Sequence, residues 1–207
     1  MKIQLKKKTL RKLQLTSHPR FQEKPRSRSL DLTKDSKISV RRLIEKQRLR
    51  YHHSLTQSQV KRYVAETRKY PGPSGLALLC ELAMRLDSFL FQVGFAVSIR
   101  SSRQLIRHGH VFVNGRVVSL PGYRCKQGDL ICIAPRVESR RLVSRHVLAT
   151  RTKRAANTFN KSFSALTPVS EYAKVCPRNL KILVLRNIKP RELLLKVDPM
   201  LVLESFA

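Results

Sequence analysis

The residues best suited to chemistry lie in a basic cluster near the middle of the chain. Arg100, Arg103 and Arg107 recur at intervals of three and four, so on a helix they share one side. His108 and His110 follow directly, and no acidic residue interrupts the run. Guanidinium groups bind oxyanions such as phosphate through paired N–H donors. The pattern therefore predicts anion binding.

Catalytic and metal-binding patterns are missing from the sequence. There is no phosphate loop, dinucleotide fingerprint, nucleophile elbow or zinc-protease motif, and the 13 acids are dispersed. The 4 cysteines lack C-x-x-C spacing, which argues against both a zinc site and a disulfide framework. His108 and His110 lack a third ligand, so a structural or polyanion-contacting role is favoured for both. We predict no enzyme activity, no metal and no cofactor.

Two predicted helices position the cluster. The first has an apolar stripe at helical spacing and ends at Gly94, which is suited to a left-handed C-cap. Its stripe consists of Leu86, Phe89, Leu90 and Val93. The second is predicted to begin after Ser98, an N-cap residue, and to close at Gly109. One of its sides carries Ile99, Ser102 and Ile106 for packing, and the other side carries the arginines.

After the second helix, the sequence pattern changes from helical spacing to that of β-strands. Residues 110–114 and 116–118 are β-branched runs joined by Asn114-Gly115, the dipeptide that suits a type I′ hairpin turn. Further turns at Pro121-Gly122 and at 127–129 precede an apolar strand at 130–134. The sequence thus predicts a helix–helix–hairpin unit with a basic flank.

A family resemblance rests on these residues. The run RLDSFLFQVGFAVSIRSSRQLIRHGHVFVNG, followed by LPGYRCKQGD, resembles the RNA-binding domain of the ribosomal S-four family in order, spacing and residue type. The same domain occurs in pseudouridine synthases, tyrosyl-tRNA synthetases and a small heat-shock ribosome-binding protein. The domain alone therefore implies RNA binding, and the rest of the chain must indicate which kind of protein carries it.

Composition agrees with a polyanionic partner. The chain has 207 residues, 42% of them hydrophobic, and a formal net charge of +30. Such a charge repels itself unless a polyanion neutralises it, and nucleic acid is the expected partner. An anionic membrane surface is disfavoured, because no apolar run is long enough to span a bilayer.

The first 39 residues read as a basic arm, with a short helix near residues 9–15. The segment is poor in acids, as organelle targeting peptides are, but its early cations are mainly lysine. We favour an arm that becomes ordered on RNA.

Residues 40–83 are predicted to be helical. Val40, Leu43 and Ile44 would form an apolar side of the first helix. Thr56 and Gln59 predict a capping box for the second, with Leu55 and Val60 as a hydrophobic staple. Ser74 is predicted to cap a third helix packed through Leu76, Leu79, Leu82 and Ala83. The run EKQRLRYHHSLTQSQ is similar to plastid members of the S-four family, and such a helical first domain separates the ribosomal proteins from the enzymes.

After residue 135 the sequence is divergent. A helix is predicted mainly from Arg140 to Ala156. Residues 180–207 alternate between apolar and polar side chains, which predicts two or three short strands. This tail resembles the closing segment of the family through Arg191-Glu192 and residues 201–206. The predicted fold class is α+β, with a helical N-terminal domain, an S-four domain of two helices and a small, mostly antiparallel sheet, and a C-terminal strand segment. Its domains are a basic arm at 1–39, a helical domain at 40–83, the S-four domain at 84–135 and a C-terminal segment at 136–207.

The candidate RNA-binding residues are the cations and polar groups of these elements. In the helical domain they are Arg41, Arg42, Lys46, Arg48, Arg50, Lys61, Arg62, Arg68 and Lys69. In the S-four domain they are Arg100, Arg103, Gln104, Arg107, His108, His110, Asn114, Arg116, Arg124 and Lys126. Tyr51 and Tyr123 are candidates for stacking on bases, with plain packing at least as well supported.

The resemblance implies a structural protein of the small ribosomal subunit in a chloroplast. It implies binding to a helix junction in the 5′ domain of small-subunit ribosomal RNA early in assembly, beside S-five and S-three proteins near the messenger entry channel. The alternative is a free-standing RNA-binding factor that acts on ribosomal subunits. Neither hypothesis requires a membrane or a small-molecule substrate.

Overall fold

The computed structural model describes residues 38–69, 73–158, 171–195 and 197–206. The predicted basic arm and its short helix lie outside these ranges. Contacts divide the chain into two compact units, residues 1–79 with 195–207 and residues 80–194. The stretch 136–207, grouped as one segment from the sequence, is thus divided between both units.

The first unit contains two helices joined by a tight turn, α1 (Ile38–His52) and α2 (Gln57–Thr67). The predicted capping box is present, because Thr56 accepts from the Gln59 backbone N–H while the Gln59 side chain accepts from that of Thr56. Leu55 and Val60 are buried beside it, as the staple requires.

The predicted apolar side of α1 is confirmed at Ile44 and wrong at Val40 and Leu43. Val40 and Leu43 are 41% and 54% exposed, whereas Ile44 and Leu49 are buried. Glu45 is buried with them, since it accepts hydrogen bonds from Arg48 and from the backbone of Asp198. The carboxylate of Glu45 is therefore buried because it has hydrogen-bond partners, whereas the apolar side chain of Leu43 is exposed.

The third helix, α3 (Ser74–Ala83), begins one residue earlier than predicted. Ser74 is its first residue and not its cap, and the Pro73 carbonyl accepts from the N–H groups of Leu76 and Ala77. Leu79 and Leu82 are buried as predicted, but Leu76 is exposed and Leu78 is buried in its stead.

The last predicted strand is a helix, α7 (Pro199–Glu204). Asp198 caps it by accepting from the backbone N–H of Met200, and Pro199 stands in the first turn, where its missing N–H costs nothing. These start signals outweigh the alternation of apolar residues. α7 belongs to the first unit, where Arg42 pairs with Glu204.

The second unit opens with α4 (Leu86–Val93) and α5 (Ile99–Arg107). Gly94 adopts the left-handed C-cap with φ of 93°, and Ser98 caps α5 by accepting from the backbone N–H of Ser101. Ile99, Ser102 and Ile106 are buried. These three predictions are confirmed.

An antiparallel five-stranded sheet completes this unit. Its strands are β1 (Val111–Val113), β2 (Arg116–Val117), β3 (Leu130–Ile133), β4 (Ala173–Cys176) and β5 (Lys181–Val184), in the order β2-β1-β3-β5-β4. Positive φ values at Asn114 and Gly115 confirm the predicted turn. The sequence did not indicate β4, which pairs with β5 at the sheet edge.

The long helix α6 (Val137–Thr158) follows β3 and includes the predicted helical stretch. The core of the unit lies where one face of the sheet meets α4, α5 and α6. Inward-facing Val111, Val113, Ile131 and Ile182 pack there against Phe89 and Leu90. In the described ranges, no helix is long and apolar enough to cross a bilayer.

Candidate nucleic-acid interface

A buried carboxylate, Asp87, organises the helical side of the site. Both of its oxygens accept from Arg85, at 3.1 and 2.9 Å, and Oδ2 also accepts from Arg103 Nε at 2.7 Å. Asp87 is 0% exposed and Arg85 is 5% exposed. A buried charge of this kind is tolerated only when it is paired and hydrogen-bonded. The network ties the start of α4 to α5.

A second carboxylate, Asp129, organises the hairpin side. It accepts from Asn114 Nδ2 at 2.9 Å, from the Lys126 backbone N–H at 2.8 Å and from the Tyr123 hydroxyl at 3.4 Å. Asn114 Oδ1 in turn accepts from the backbone N–H of Leu130 at 2.8 Å. Burial, followed by the charge of Asp129, raises the pKa of Tyr123. The network fixes the hairpin turn against the turn at 123–129.

Pairing within the fold separates the predicted binding residues into two groups. Some of the candidates are held within the fold: Arg103 by Asp87, Asn114 by Asp129, and Arg124 by a 3.2 Å pair with Glu81. Others are exposed side chains at the ends of α5 and on the hairpin: Arg100, Gln104, Arg107, His108, Arg116 and Lys126. Of the three arginines of α5, Arg103 is thus paired within the fold.

The two histidines stand between α5 and the sheet. The rings of His108 and His110 are stacked, with centroids 6.0 Å apart. His110 Nδ1 lies 2.8 Å from the Ser139 hydroxyl on α6. Burial, and then the charges of His108 and Arg136, lower the pKa of His110, so this ring is neutral near pH 7. His110 thus has a structural contact, while His108 is exposed.

In the first unit, several candidate cations contact the C-terminal residues. Arg42 pairs with Glu204 at 2.8 Å, Lys46 Nζ donates to the Ser205 carbonyl, and Arg68 donates to the Leu203 carbonyl. Lys46 also lies over the Phe206 ring, with Nζ 4.1 Å from its centroid. These contacts attach α1 and α2 to α7.

The remaining cations of the first unit differ in exposure. Arg48 pairs with buried Glu45 at 2.6 Å, and burial raises the pKa of Glu45 although Arg48 opposes it. Arg41 and Arg50 are half-buried, and Arg50 lies over the ring of Tyr51. The exposed candidates are Lys61, Arg62, Arg68 and Lys69. Among the described candidates of this unit, the most accessible charge therefore lies on α2 and the two residues that follow it.

Sequence reasoning missed the anchoring carboxylates Glu45, Asp87 and Asp129. A signal was available for two of them, since Asp87 belongs to the Arg-Leu-Asp run and Asp129 to the Gly-Asp turn in the motif. For Glu45, the nearby Arg48 offers an i,i+3 pair, but its second partner, the Asp198 backbone, is far along the chain.

Two cysteines of the second unit differ in burial. Burial raises the pKa of the Cys125 thiol, which keeps it protonated and unreactive. Cys132 is half-buried in β3. In the part of the chain that the structure describes, no group of three His, Cys, Asp or Glu side chains is suited to a metal ion.

Comparison with known proteins connects this geometry to a family. Residues 84–131 match the S4 domain model. The small ribosomal subunit protein uS4c of Staurastrum punctulatum is 37% identical over 166 residues, which cover 80% of this chain and 77% of the relative. The uS4c protein of Trieres chinensis is 39% identical, with 80% of this chain and 74% of the relative covered.

A further relative extends the comparison beyond the uS4c proteins. The uS4 protein of Cyanothece sp. is 50% identical over 106 residues, covering 51% of this chain and 52% of the relative. All these relatives are named as ribosomal proteins, in agreement with the prediction that the chain is not an enzyme. Because these uS4c relatives align with 80% of the chain at 37% and 39% identity, and the S4 domain model matches within it, the chain belongs to the small ribosomal subunit protein uS4 family, chloroplast type.

Proposed function

We propose that this protein is a structural, RNA-binding component of the small ribosomal subunit of a plastid. The observation that carries the proposal is the division of its cations. Buried carboxylates hold the scaffold rigid, while Arg107, Arg116 and Lys126 remain exposed on α5, the hairpin and the adjoining turn. A rigid scaffold with unneutralised cations suits a crowded phosphate backbone.

The proposed role is that of a clamp on a helix junction in the 5′ domain of the small-subunit ribosomal RNA. The net charge of +30 supports this role, because crowded phosphates at a junction repel one another until cations neutralise them. Holding the junction's helices in one arrangement early in assembly requires no catalysis. By family resemblance, the proposed position is beside S-five and S-three proteins near the messenger entry channel.

The proposed contacts come from both units. In the second unit they are Arg100, Gln104, Arg107, His108, Arg116 and Lys126, with Arg103, His110, Asn114 and Arg124 chiefly positioning the surface. In the first unit, Lys61, Arg62, Arg68 and Lys69 are the most accessible, ahead of Arg41, Arg42, Lys46, Arg48 and Arg50. This ranking follows exposure and pairing.

Sedimentation tests the ribosomal role. A subunit component should remain with the small subunit through a high-salt wash in near-stoichiometric amount. Release of the protein into the free fraction at moderate salt would favour the alternative, a free-standing factor that acts on subunits.

Salt-dependent binding tests the proposed surface. Removing one phosphate-binding cation lowers the slope of log affinity against log salt concentration by roughly 0.7 to 0.9. The variant Arg107→Gln/Arg116→Gln/Lys126→Gln should therefore reduce the slope by about 2 to 3 on a 5′-domain transcript. The matched control, Lys174→Gln/Lys181→Gln/Arg191→Gln, removes the same charge from exposed positions outside the surface. An equal reduction in both variants would show that net charge alone drives binding.

A further inference from the structure

Helix α6 carries a group of exposed arginines that lies outside the surface described above. One member precedes the helix and the others lie on its first turns. The α6 arginine cluster consists of Arg136, Arg140, Arg141 and Arg145, all exposed. Between its first and last members the sequence has one acid, Glu138.

The packing of α6 fixes the direction of this cluster. Ser139 and Val143 are fully buried, and Val147 packs against the core. The helix is therefore anchored along one side, and its arginines project from the sides that are accessible. Residues four apart on a helix are separated by about 6 Å along its axis, which places Arg141 and Arg145 in a row. The cluster is a rigid array.

These arginines differ from the arginines that hold the fold. Arg103 pairs with Asp87, and Arg186 pairs with Glu192 and Glu171. In the described ranges, none of the four cluster arginines forms an ion pair with a carboxylate. Within the part of the chain that the structure describes, no carboxylate neutralises their charge.

The cluster also adjoins the surface already proposed. His110, between α5 and β1, contacts Ser139 on α6 at 2.8 Å, and its carbonyl accepts from the backbone N–H of Ala134. Arg136 lies close enough for its charge to act on His110. The start of α6 therefore contacts His110, whose ring stacks on that of exposed His108, and the two basic regions are neighbours.

We propose that the α6 arginine cluster binds the sugar–phosphate backbone of a double-helical segment of ribosomal RNA, beside the RNA held by α5 and the hairpin. This inference rests on the proposed function. Duplex RNA conceals its bases in a narrow major groove and presents rows of phosphates, so proteins recognise it by shape and backbone contacts. An array of arginines on a rigid helix that has no Phe, Tyr or Trp for base stacking fits that ligand.

The test uses the full chain with Arg140→Gln/Arg141→Gln/Arg145→Gln. Glutamine keeps the helix propensity close to that of arginine. On a 5′-domain transcript we expect the salt slope to fall by about 2 to 3, with affinity also reduced on an unrelated RNA duplex. The control Lys174→Gln/Lys181→Gln/Arg191→Gln should leave the slope within about one unit of the parent's. Replacing the same three arginines by lysine should retain the parent's slope, because phosphate neutralisation needs only charge.

The outcomes separate this inference from the proposed function. An unaltered slope in the α6 variant, with a reduced slope in Arg107→Gln/Arg116→Gln/Lys126→Gln, would overturn the inference and leave the proposed function standing. Unaltered slopes in both variants would overturn both. If helix content falls in the triple variant, the single changes Arg141→Gln and Arg145→Gln replace it, each with an expected reduction of roughly 0.7 to 0.9.

Discussion

At the scale of single residues, the buried carboxylate of Asp87 positions the helical side of the interface. It holds Arg85 and Arg103, one on each side, and its backbone N–H donates to the Pro121 carbonyl. α4, α5 and the loop before Tyr123 therefore share one anchor. Arg103 and Arg107 lie on the same side of α5, yet the first belongs to the anchor and the second is exposed.

Removing the Asp87 carboxylate should lower the free energy of unfolding of the domain. Asp87→Ala leaves the buried Arg85 guanidinium without its carboxylate, and removing one partner of a buried pair costs about 3 to 5 kcal/mol. Arg107→Gln, on the same helix, should change the free energy of unfolding by less than about 0.5 kcal/mol. Chemical denaturation of both variants measures the difference. A decrease below about 1 kcal/mol for Asp87→Ala would contradict the anchoring role.

Gly115 tests the hairpin turn. Its φ is +80°, and a Cβ built on it would meet nothing within 4 Å, so a substitution acts through the backbone alone. Alanine should cost about 1 to 2 kcal/mol, valine more and asparagine less, since asparagine tolerates the left-handed region. Gly128→Ala, with φ of +87° and equally open space, is the matched control. Equal stability of all three Gly115 variants would contradict this turn geometry.

At the scale of elements, close packing overrides local propensity between α3 and α7. A Cβ on Gly75 would lie 2.8 Å from Pro199 Cβ and 3.0 Å from the Pro199 carbonyl oxygen. Alanine in a helix interior is favoured over glycine by about 1 kcal/mol. Overpacking costs about 1 to 3 kcal/mol. The overpacking cost exceeds the gain in propensity, because the atoms of Pro199 include its backbone.

Gly75→Ala should therefore lower the free energy of unfolding, by up to about 2 kcal/mol. Ala65→Gly, at an exposed position of α2, measures the propensity effect alone and should lower the free energy of unfolding by about 1 kcal/mol. Thermal and chemical denaturation would report both values. A gain in stability of about 1 kcal/mol for Gly75→Ala would mean that the two helices do not approach this closely.

The turn after β5 supplies a pH-dependent contribution. A hydrogen bond from Arg186 lowers the pKa of Glu192 below the usual 4.5. A lowered carboxyl pKa stabilises the fold at pH values above 4.5, and this stabilisation disappears as the pH falls through the lowered pKa.

Glu192→Gln should thus be less stable than the parent near neutral pH, and the difference should shrink as the pH falls below 4.5. Unfolding free energies across an acid series measure this. Glu204→Gln is the control, since its pair with Arg42 is exposed on both sides and should contribute less than about 1 kcal/mol. A difference for Glu192→Gln that stays constant down to low pH would exclude the linkage.

At the scale of the whole molecule, charge dominates. With 43 Lys and Arg against 13 Asp and Glu, the free chain repels itself. Asp87, Asp129 and Glu192 are already committed to partners within the fold, so they neutralise little of the exposed charge. The exposed cations therefore remain for an external polyanion.

Added sodium chloride should raise the melting temperature of the free protein. Salt shortens the Debye length from about 10 Å at 0.1 M to about 3 Å at 1 M, which screens the repulsion. The control variant Lys174→Gln/Lys181→Gln/Arg191→Gln carries less charge and should respond less steeply. A melting temperature that falls with salt would indicate that attractive ion pairs, such as Arg186 with Glu192, outweigh the repulsion.

The sequence by itself determined the features that depend on near neighbours. The capping box at Thr56, the C-cap at Gly94, the N-cap at Ser98 and the turn at Asn114-Gly115 are confirmed, because each follows from residues within four positions of one another. The motif in that register also predicted the family.

Only the tertiary structure decided the features that depend on distant partners. The assignment of Arg103 to the fold depends on Asp87, and the burial of Glu45 depends on Asp198, 153 residues away. The sequence pattern at residues 201–206 predicts a strand, yet residues 201–204 belong to helix α7. Glu204 of this helix pairs with Arg42, 162 residues away. Periodicity records which residues are apolar. It does not show which buried charge is paired. Burying an unpaired charge costs more free energy than burying a hydrophobic side chain contributes.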